Sequence, residues 1–393
     1  MLRQSIPPHQ QAFESSSDSH EDLQLNRSLL LDIVQENHLL YHMEKRDRPN
    51  NMIRILVELH QLGASQEQLT LAYGKARQDA QPIRISNRIN QTNWEEFLGN
   101  WSLYGDYLVF FDNQLSILGL EETLNRYLYS IPKSLGSQLQ PLVQLAFGIE
   151  HDLPLIITQA LAYYATSYLD VGNILDYCQH QTNTSKSTCT ANTILFDYIS
   201  SDQRFDGKME GNNTFHSAVK LLIKSKSDLI KTYMHTWSTS SPGGITEQLD
   251  SLLETATRLT QHASRQPQEN VIDLDWFMAG GQMMDAVFAV KQLIRSENDQ
   301  DLVDLLFLSM LCTFVVQGRP ALIVHKQTTG FMKWEDCIST IVQSAEPKSI
   351  LALASIVKAS HYNPTPYLSI ANTLAQFVVM DGTWVKGGIG WSK

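Results

Sequence analysis

Cysteine is scarce in this chain. Cys178, Cys189, Cys312 and Cys337 are its full complement, with no CxxC pair and no zinc-ligand spacing. A disulfide framework and a structural zinc site are therefore not indicated, and reduced thiols of a cytoplasmic protein are the simplest reading. Basic residues are outnumbered: 30 Lys and Arg face 41 Asp and Glu, for a formal net charge of -11. They are also scattered, whereas phosphate contacts need clustered cations, so a nucleic-acid partner is excluded. No apolar run reaches the roughly 18 uninterrupted residues of a membrane span. The N-terminus lacks the basic-then-apolar order of a secretory signal, so the sequons at Asn183 and Asn213 carry no weight. Catalytic signatures are absent as well. Without GxGxxG, a P-loop, HExxH or a GxSxG elbow, the common dinucleotide, phosphate, zincin and serine-hydrolase sites are not indicated. Alternating strand patterns are missing throughout.

What is present is apolar and helical. Hydrophobic residues make up 43% of the 393 and charged residues 18%, enough for a large core. The stretch from Leu139 to Leu169 holds two helix-period runs joined by a short break at 150–154. Pro154 suits the first turn of the second run and Asp152 is placed to cap it. Few residues in either run want water, which predicts a central pair with neighbours on several sides. The expected fold is all-α: one large helical domain over 23–393 with this pair buried, preceded by a loose tail over 1–22 rich in Pro and Ser.

Other helices follow from period and punctuation. The spacing predicts helices over Leu23–Met43 and Asn50–Leu62, the latter stopped by Gly63. Another, capped by Ser65 with Gln68 as a capping box, should run to about Tyr73. His38 and His42 are four apart and would share a helical face, half of a metal site and more simply packing or surface residues. Arg54 and Glu58, also four apart, read as a solvent-exposed pair. Asn93 is placed to cap a helix from Trp94 whose run to Phe111 is dense in aromatics, including Trp101, Tyr104 and Tyr107. Such density fits a core, or the wall of a pocket for a flat apolar ligand. Further helices are expected over Phe215–Trp237, Ile245–Ala263, Asp273–Leu293, Leu302–Val316, Trp334–Gln343, Lys348–Ser360 and Leu368–Met380, with Asp275 as a cap. The loop 202–214 lacks the acidic spacing of a calcium site. The tail after Asp381 has no helical period, but Trp384 and Trp391 suggest that it docks.

At Asn37-His38 with Asn50-Asn51-Met52-Ile53 and Leu62-Gly63-Ala64-Ser65, at Asn93-Trp94 through Tyr107-Leu108-Val109-Phe110-Phe111, at Pro141 to Glu150 with Gln159-Ala160-Leu161-Ala162, and at Asp275 to Asp285 with Gly318-Arg319-Pro320, the chain resembles the questin oxidase-like family. That family includes Baeyer–Villiger-type oxidases of fungal aromatic polyketide pathways. The resemblance implies coverage from about Leu29 to Ser360 and an oxidoreductase of secondary metabolism. It also implies histidines, which this chain lacks, near Asn50, Met52 and Ile55, near Gln140 and Gln144, near Met278 or Ala279, and near Glu346. Imidazoles serve proton transfer and metal ligation, so chemistry that depends on them should be disabled while the scaffold survives.

The expected site lies between the central pair, the Trp94–Phe111 segment and the Asp275–Asp285 helix. Gln140 and Gln144 share a helical face where the family's histidines would stand and can orient a carbonyl. Asp285 is the candidate acid or base, with a pKa that burial would raise. Trp101, Tyr104 and Tyr107 would stack on a planar ligand, Glu150 and His151 would line a rim, and Met278 would complete the apolar wall. No metal ligand set is expected, and no tightly held flavin, haem or zinc; a loosely bound nicotinamide such as NADPH is compatible. The expected partner is a small-molecule substrate, with no nucleic acid and no membrane. A homodimer is compatible with the apolar excess, although no stretch marks an interface. Three functions fit: a tailoring oxidoreductase, a non-redox cyclase or isomerase acting by confinement and hydrogen bonds, or a binding protein with a dead site.

Overall fold

Local signals set most helix ends. Ser65 Oγ accepts the Gln68 backbone N–H at 3.3 Å while the Gln68 side chain accepts the Ser65 N–H at 2.7 Å, closing the predicted capping box. Gly63 takes φ 82° and ends the helix before it. Pro154 sits in the first turn of its helix, where a missing N–H costs nothing. The computed structural model describes residues 20–385 except 46–47, 79, 132, 179–188, 207–214, 241–242, 263–272, 276–281, 321, 323–331 and 362–363.

The first half contains α1 (His20–Leu40), α2 (Met52–Gln61), α3 (Gln66–Arg77), α4 (Tyr104–Leu124), α5 (Gln140–Glu150) and α6 (Pro154–Thr166). The second contains α7 (Phe215–Ser240), α8 (Ile245–His262), α9 (Gln282–Leu293), α10 (Gln300–Val316), α11 (Trp334–Ser344), α12 (Pro347–Ser360) and α13 (Pro364–Val379). The fold is all-α, a single large helical domain. Its strands among the described residues are short pairs, the longest joining Asp273–Asp275 in parallel to Thr383–Val385. No helix among them is long and apolar enough to cross a membrane.

The 139–169 pair is buried as predicted. Every residue of α6 from Ile156 on is buried, and α1, α4 and α5 pack around it. A Cβ on Gly148 would lie 3.0 Å from the Ile157 side chain and backbone, so glycine there permits the tight α5–α6 hairpin. A second enclosed helix was not singled out from sequence: α10 is buried from Leu302 to Val316, with α7, α8 and α9 around it. Packing of α9 on α5 and of α12 on α2 joins the halves into one core.

Several expectations need correction. No helix starts at Trp94: short 3-10 turns cover Trp94–Phe97 and Trp101–Leu103, and α4 begins at Tyr104. Gly99, at φ 80°, breaks the run, and Asn93 accepts the Asn90 N–H and donates to the Arg88 carbonyl instead of capping. Asp152 does not cap α6. It adopts φ 53° and the N-cap is Leu153, a left-handed turn that the short hairpin requires. Asp275 is not a cap either, because its backbone pairs with Val385 in a strand. The helix from Gln66 runs past Tyr73 to Arg77. His42 lies beyond the end of α1, in a two-residue strand, so His38 and His42 do not share a helical face. Trp384 does dock: its indole N–H donates to Glu346 at 3.1 Å and its ring meets Phe377 at 4.8 Å. Residues 1–19 of the predicted tail, Met278 and Trp391 lie outside the described residues.

Candidate functional site

The end of α1 and the chain just after it carry His38 and His42, both buried. His42 is fully committed. Its Nδ1 accepts the Glu44 backbone N–H at 2.9 Å and its Nε2 donates to the Trp101 carbonyl at 3.1 Å. Burial lowers its pKa to about 4, against a small upward pull from the Trp101 carbonyl, so the ring is neutral near pH 7. It packs against Trp101, at 4.5 Å between ring centroids, and Tyr104, at 4.2 Å. Trp101 is 37% exposed, so this aromatic group reaches the surface.

His38 differs. Its Nε2 lies 3.0 Å from Asp112 Oδ2 on α4, while its Nδ1 is buried with no partner. A carboxylate only accepts, so Nε2 carries the proton it shares with Asp112, and in the neutral ring Nδ1 is an acceptor. Tyr104, fully buried, likewise has a hydroxyl without a partner. Burial, and then the Asp112 charge, pushes its pKa well above the usual range, so it stays a donor.

Amides complete the group. Asn50 donates to Asn37 at 2.8 Å and to the His42 carbonyl at 3.2 Å. Asn37 in turn reaches Gln159 of α6 at 3.5 Å. Gln140 and Gln144 on α5 are both buried. Gln140 Nε2, Gln144 Oε1 and Gln159 Nε2 have no partner. An unpartnered buried polar atom costs about 1–3 kcal/mol, so this many on packed neighbouring helices is the signature of a polar interior built to receive hydrogen-bonding groups.

Asp285 stands in a different setting. Its Oδ2 accepts from Arg54 at 2.5 Å, and its Oδ1 accepts the Ser355 hydroxyl. Arg54 is buried and its partner is Asp285, which corrects the expected solvent-exposed Arg54–Glu58 pair. Glu58 is half-buried beside them. Burial raises its pKa to about 7, although the Arg54 charge pulls the other way. Glu150 is exposed and pairs with Lys358 at 2.8 Å. His151 is half-buried against Phe147 at 4.4 Å, and burial lowers its pKa. Among the described residues, no three His, Cys, Asp or Glu side chains are grouped to hold a metal ion.

The structure thus places Trp101 and Tyr104 together around His42, and puts Gln140 and Gln144 in the interior. Asp285 belongs with Arg54 and Ser355, and Glu150 with Lys358. Tyr107 lies in another aromatic nest: its hydroxyl donates to the Trp94 carbonyl at 2.5 Å and its ring faces Phe111. Sequence reasoning weighed His38 only with His42 and Glu58 only with Arg54, and did not single out Asp112. Asp112 lies 74 residues from His38, and no local spacing signals that pair.

The class so defined is an all-helical protein with a polar, partly aromatic interior between α1, α4, α5 and α6. The chain belongs to the questin oxidase-like family, whose sequence pattern matches residues 49–363. It is 23% identical over 258 residues to a questin oxidase of Aspergillus terreus, covering 61% of this chain and 58% of the other. It is 26% identical over 150 residues to a Baeyer–Villiger oxidase of Pestalotiopsis microspora, covering 34% and 33%. It is 25% identical over 152 residues to an oxidoreductase of Aspergillus parasiticus, covering 33% and 30%. The matches therefore span less than two thirds of each relative's length.

Proposed function

We propose that this protein is a cytoplasmic tailoring enzyme of secondary metabolism, an oxidoreductase acting on an aromatic, polyketide-like small molecule. The observation that carries this reading is the set of unpartnered buried groups, Tyr104, Gln140, Gln144 and Gln159, of which Tyr104 packs on His42 beside Trp101. A flat ligand bearing several oxygens would satisfy them. The relatives' names, questin oxidase and Baeyer–Villiger oxidase, supply the reaction class. Inserting one oxygen atom of O2 into a carbon–carbon bond beside a ketone sends the other to water and takes two electrons. The reductant in this reading is a nicotinamide that binds and leaves, with no tightly held flavin, haem or zinc. Arg54 and Lys358 are engaged by Asp285 and Glu150.

A second reading, a cyclase or isomerase, is favoured by one observation. His38 paired to Asp112 with a bare Nδ1 is suited to moving a proton without redox chemistry. Oxygen-electrode assays with aromatic polyketide ketones and NADPH separate the readings. Uptake matched to an oxygenated product supports the oxidoreductase. Turnover without uptake replaces it with the second reading, and neither result leaves a binding protein. Full turnover by Gln144→Ala, with unchanged product, would remove Gln144 from the site.

A further inference from the structure

We propose that His38, oriented by Asp112, takes the proton of a phenolic hydroxyl on a flat aromatic ketone, so that the ligand is held as its phenolate. This rests on the small-molecule reading above and deepens it. The unpartnered atoms of the interior are of two kinds. His38 Nδ1 and Gln144 Oε1 are acceptors, and they call for hydroxyl groups. The Tyr104 hydroxyl and the Gln140 and Gln159 amide N–H groups are donors, and they call for carbonyl or phenolate oxygens. A hydroxylated aryl ketone offers both, and the partly exposed Trp101 ring, backed by His42 and Tyr104, offers a face for its plane.

The proton transfer balances without a further reactant. The ligand O–H breaks, an N–H forms at Nδ1, and imidazolium and phenolate remain as a pair. Asp112, 3.0 Å from Nε2, stabilises the imidazolium, as a carboxylate does for any histidine base whose far nitrogen it holds. His42 cannot serve in the same way, because both its ring nitrogens are already used. Asp285 and Glu150 are engaged elsewhere, with Arg54 and Lys358.

The test uses the full-length protein and 6-acetyl-2-naphthol, a flat hydroxyaryl ketone whose neutral and ionised forms absorb at different wavelengths. Titrations are run below the probe's solution pKa, where the free probe is neutral. Wild-type protein is expected to bind it mainly ionised. His38→Gln should bind it neutral, and Asp112→Asn should lower the ionised-to-neutral ratio by about tenfold, the effect of removing one opposite charge from beside an imidazolium. As a measurement independent of any variant, 15N spectra of histidine-labelled wild type should show one ring change from singly to doubly protonated on binding. A probe bound neutral by wild type, with no such change, overturns the role of His38 and leaves the small-molecule reading standing. Failure of wild type to bind the probe up to its solubility limit overturns both.

Discussion

Two of the polar groups inside this helical core differ in how completely they are satisfied. Between α2, α9 and α12, Arg54, Asp285 and Ser355 answer one another, with Asp285 using both carboxylate oxygens. Between α1, α4, α5 and α6, His38, Tyr104, Gln140, Gln144 and Gln159 each keep an atom without a partner. Buried charge is tolerated only when paired, so the first group reads as structure. Neutral groups left open at about 1–3 kcal/mol each read as a site whose remaining partner is not protein. The comparison moves attention from Asp285, the most conspicuous acid in the sequence, to the amides and to His38.

The largest effect should come from breaking the closed group. Arg54→Met leaves Asp285 buried without its cation and should cost about 3–5 kcal/mol, read as a large fall in the urea midpoint. Arg54→Met with Asp285→Leu removes both charges and should recover most of that loss. If the double variant is as unstable as the single one, the two residues are not a mutually compensating pair, and the contrast with the open group fails.

A smaller, pH-dependent effect distinguishes the groups by sign. Glu58, beside the closed group, has its pKa raised by burial from 4.5 to about 7. The folded state then holds a proton that the unfolded state has lost, so this stabilisation is full below pH 4.5 and disappears as pH rises through about 7. His42, beside the open group, is lowered by burial from 6.5 to about 4. Its contribution is full above pH 6.5 and is lost as pH falls through about 4. Each displacement corresponds to at most about 3 kcal/mol. The two slopes oppose each other over their shared range, so the wild type should show neither clearly. Glu58→Gln should leave stability rising with pH, and His42→Phe should leave it falling, in urea midpoints measured from pH 4 to 8. Parallel curves for the two variants would show that neither burial governs its group.

Much of this was legible in the sequence, and the part that was not has a common cause. Period, Pro154, Gly63 and the Ser65–Gln68 box are local signals, and each was realised because it acts within a few residues. The buried α5–α6 pair followed from two runs with little polar content. The Trp94 start, which rested on Asn93 as a cap, failed because Asn93 bonds Asn90 and Arg88 instead and Gly99 breaks the run, in a stretch where residues 84–88 cross the start of α4. At that crossing Gly105 lies where a Cβ would come within 2.4 Å of the Arg84 carbonyl. Asp106 then accepts from the backbones of Ser86, Asn87 and Arg88. Of the candidate site residues, Gln140 and Gln144, which helical spacing puts on one face, are both buried. Their companions are not adjacent in sequence. Gln159 reaches Asn37 across 122 residues and Arg54 reaches Asp285 across 231, and no spacing rule spans such separations.

The smallest effect is the most discriminating, because its sign differs from what a core substitution ordinarily gives. Gln144 is buried in α5, and its Oε1 has no partner. Gln144→Leu replaces it with a side chain of similar reach and no polar atom to satisfy. Replacing a buried amide that has a full set of partners would leave those partners exposed to the desolvation penalty. Here an unmet acceptor is removed, and leucine and glutamine have similar helix propensity. The variant should therefore be as stable as wild type or more stable, by about 1 kcal/mol, in the absence of ligand. Tyr107→Phe serves as the control within the same core. Its hydroxyl donates to the Trp94 carbonyl, so its loss should destabilise by about 1–2 kcal/mol. Thermal and urea midpoints of both proteins, without ligand, check the pair. A Gln144→Leu protein that loses as much as Tyr107→Phe would show that the amide is satisfied in solution, by ordered water if by nothing else in the chain. The interior between α1, α4, α5 and α6 would then be a wet core, with no standing vacancy for a ligand's oxygens.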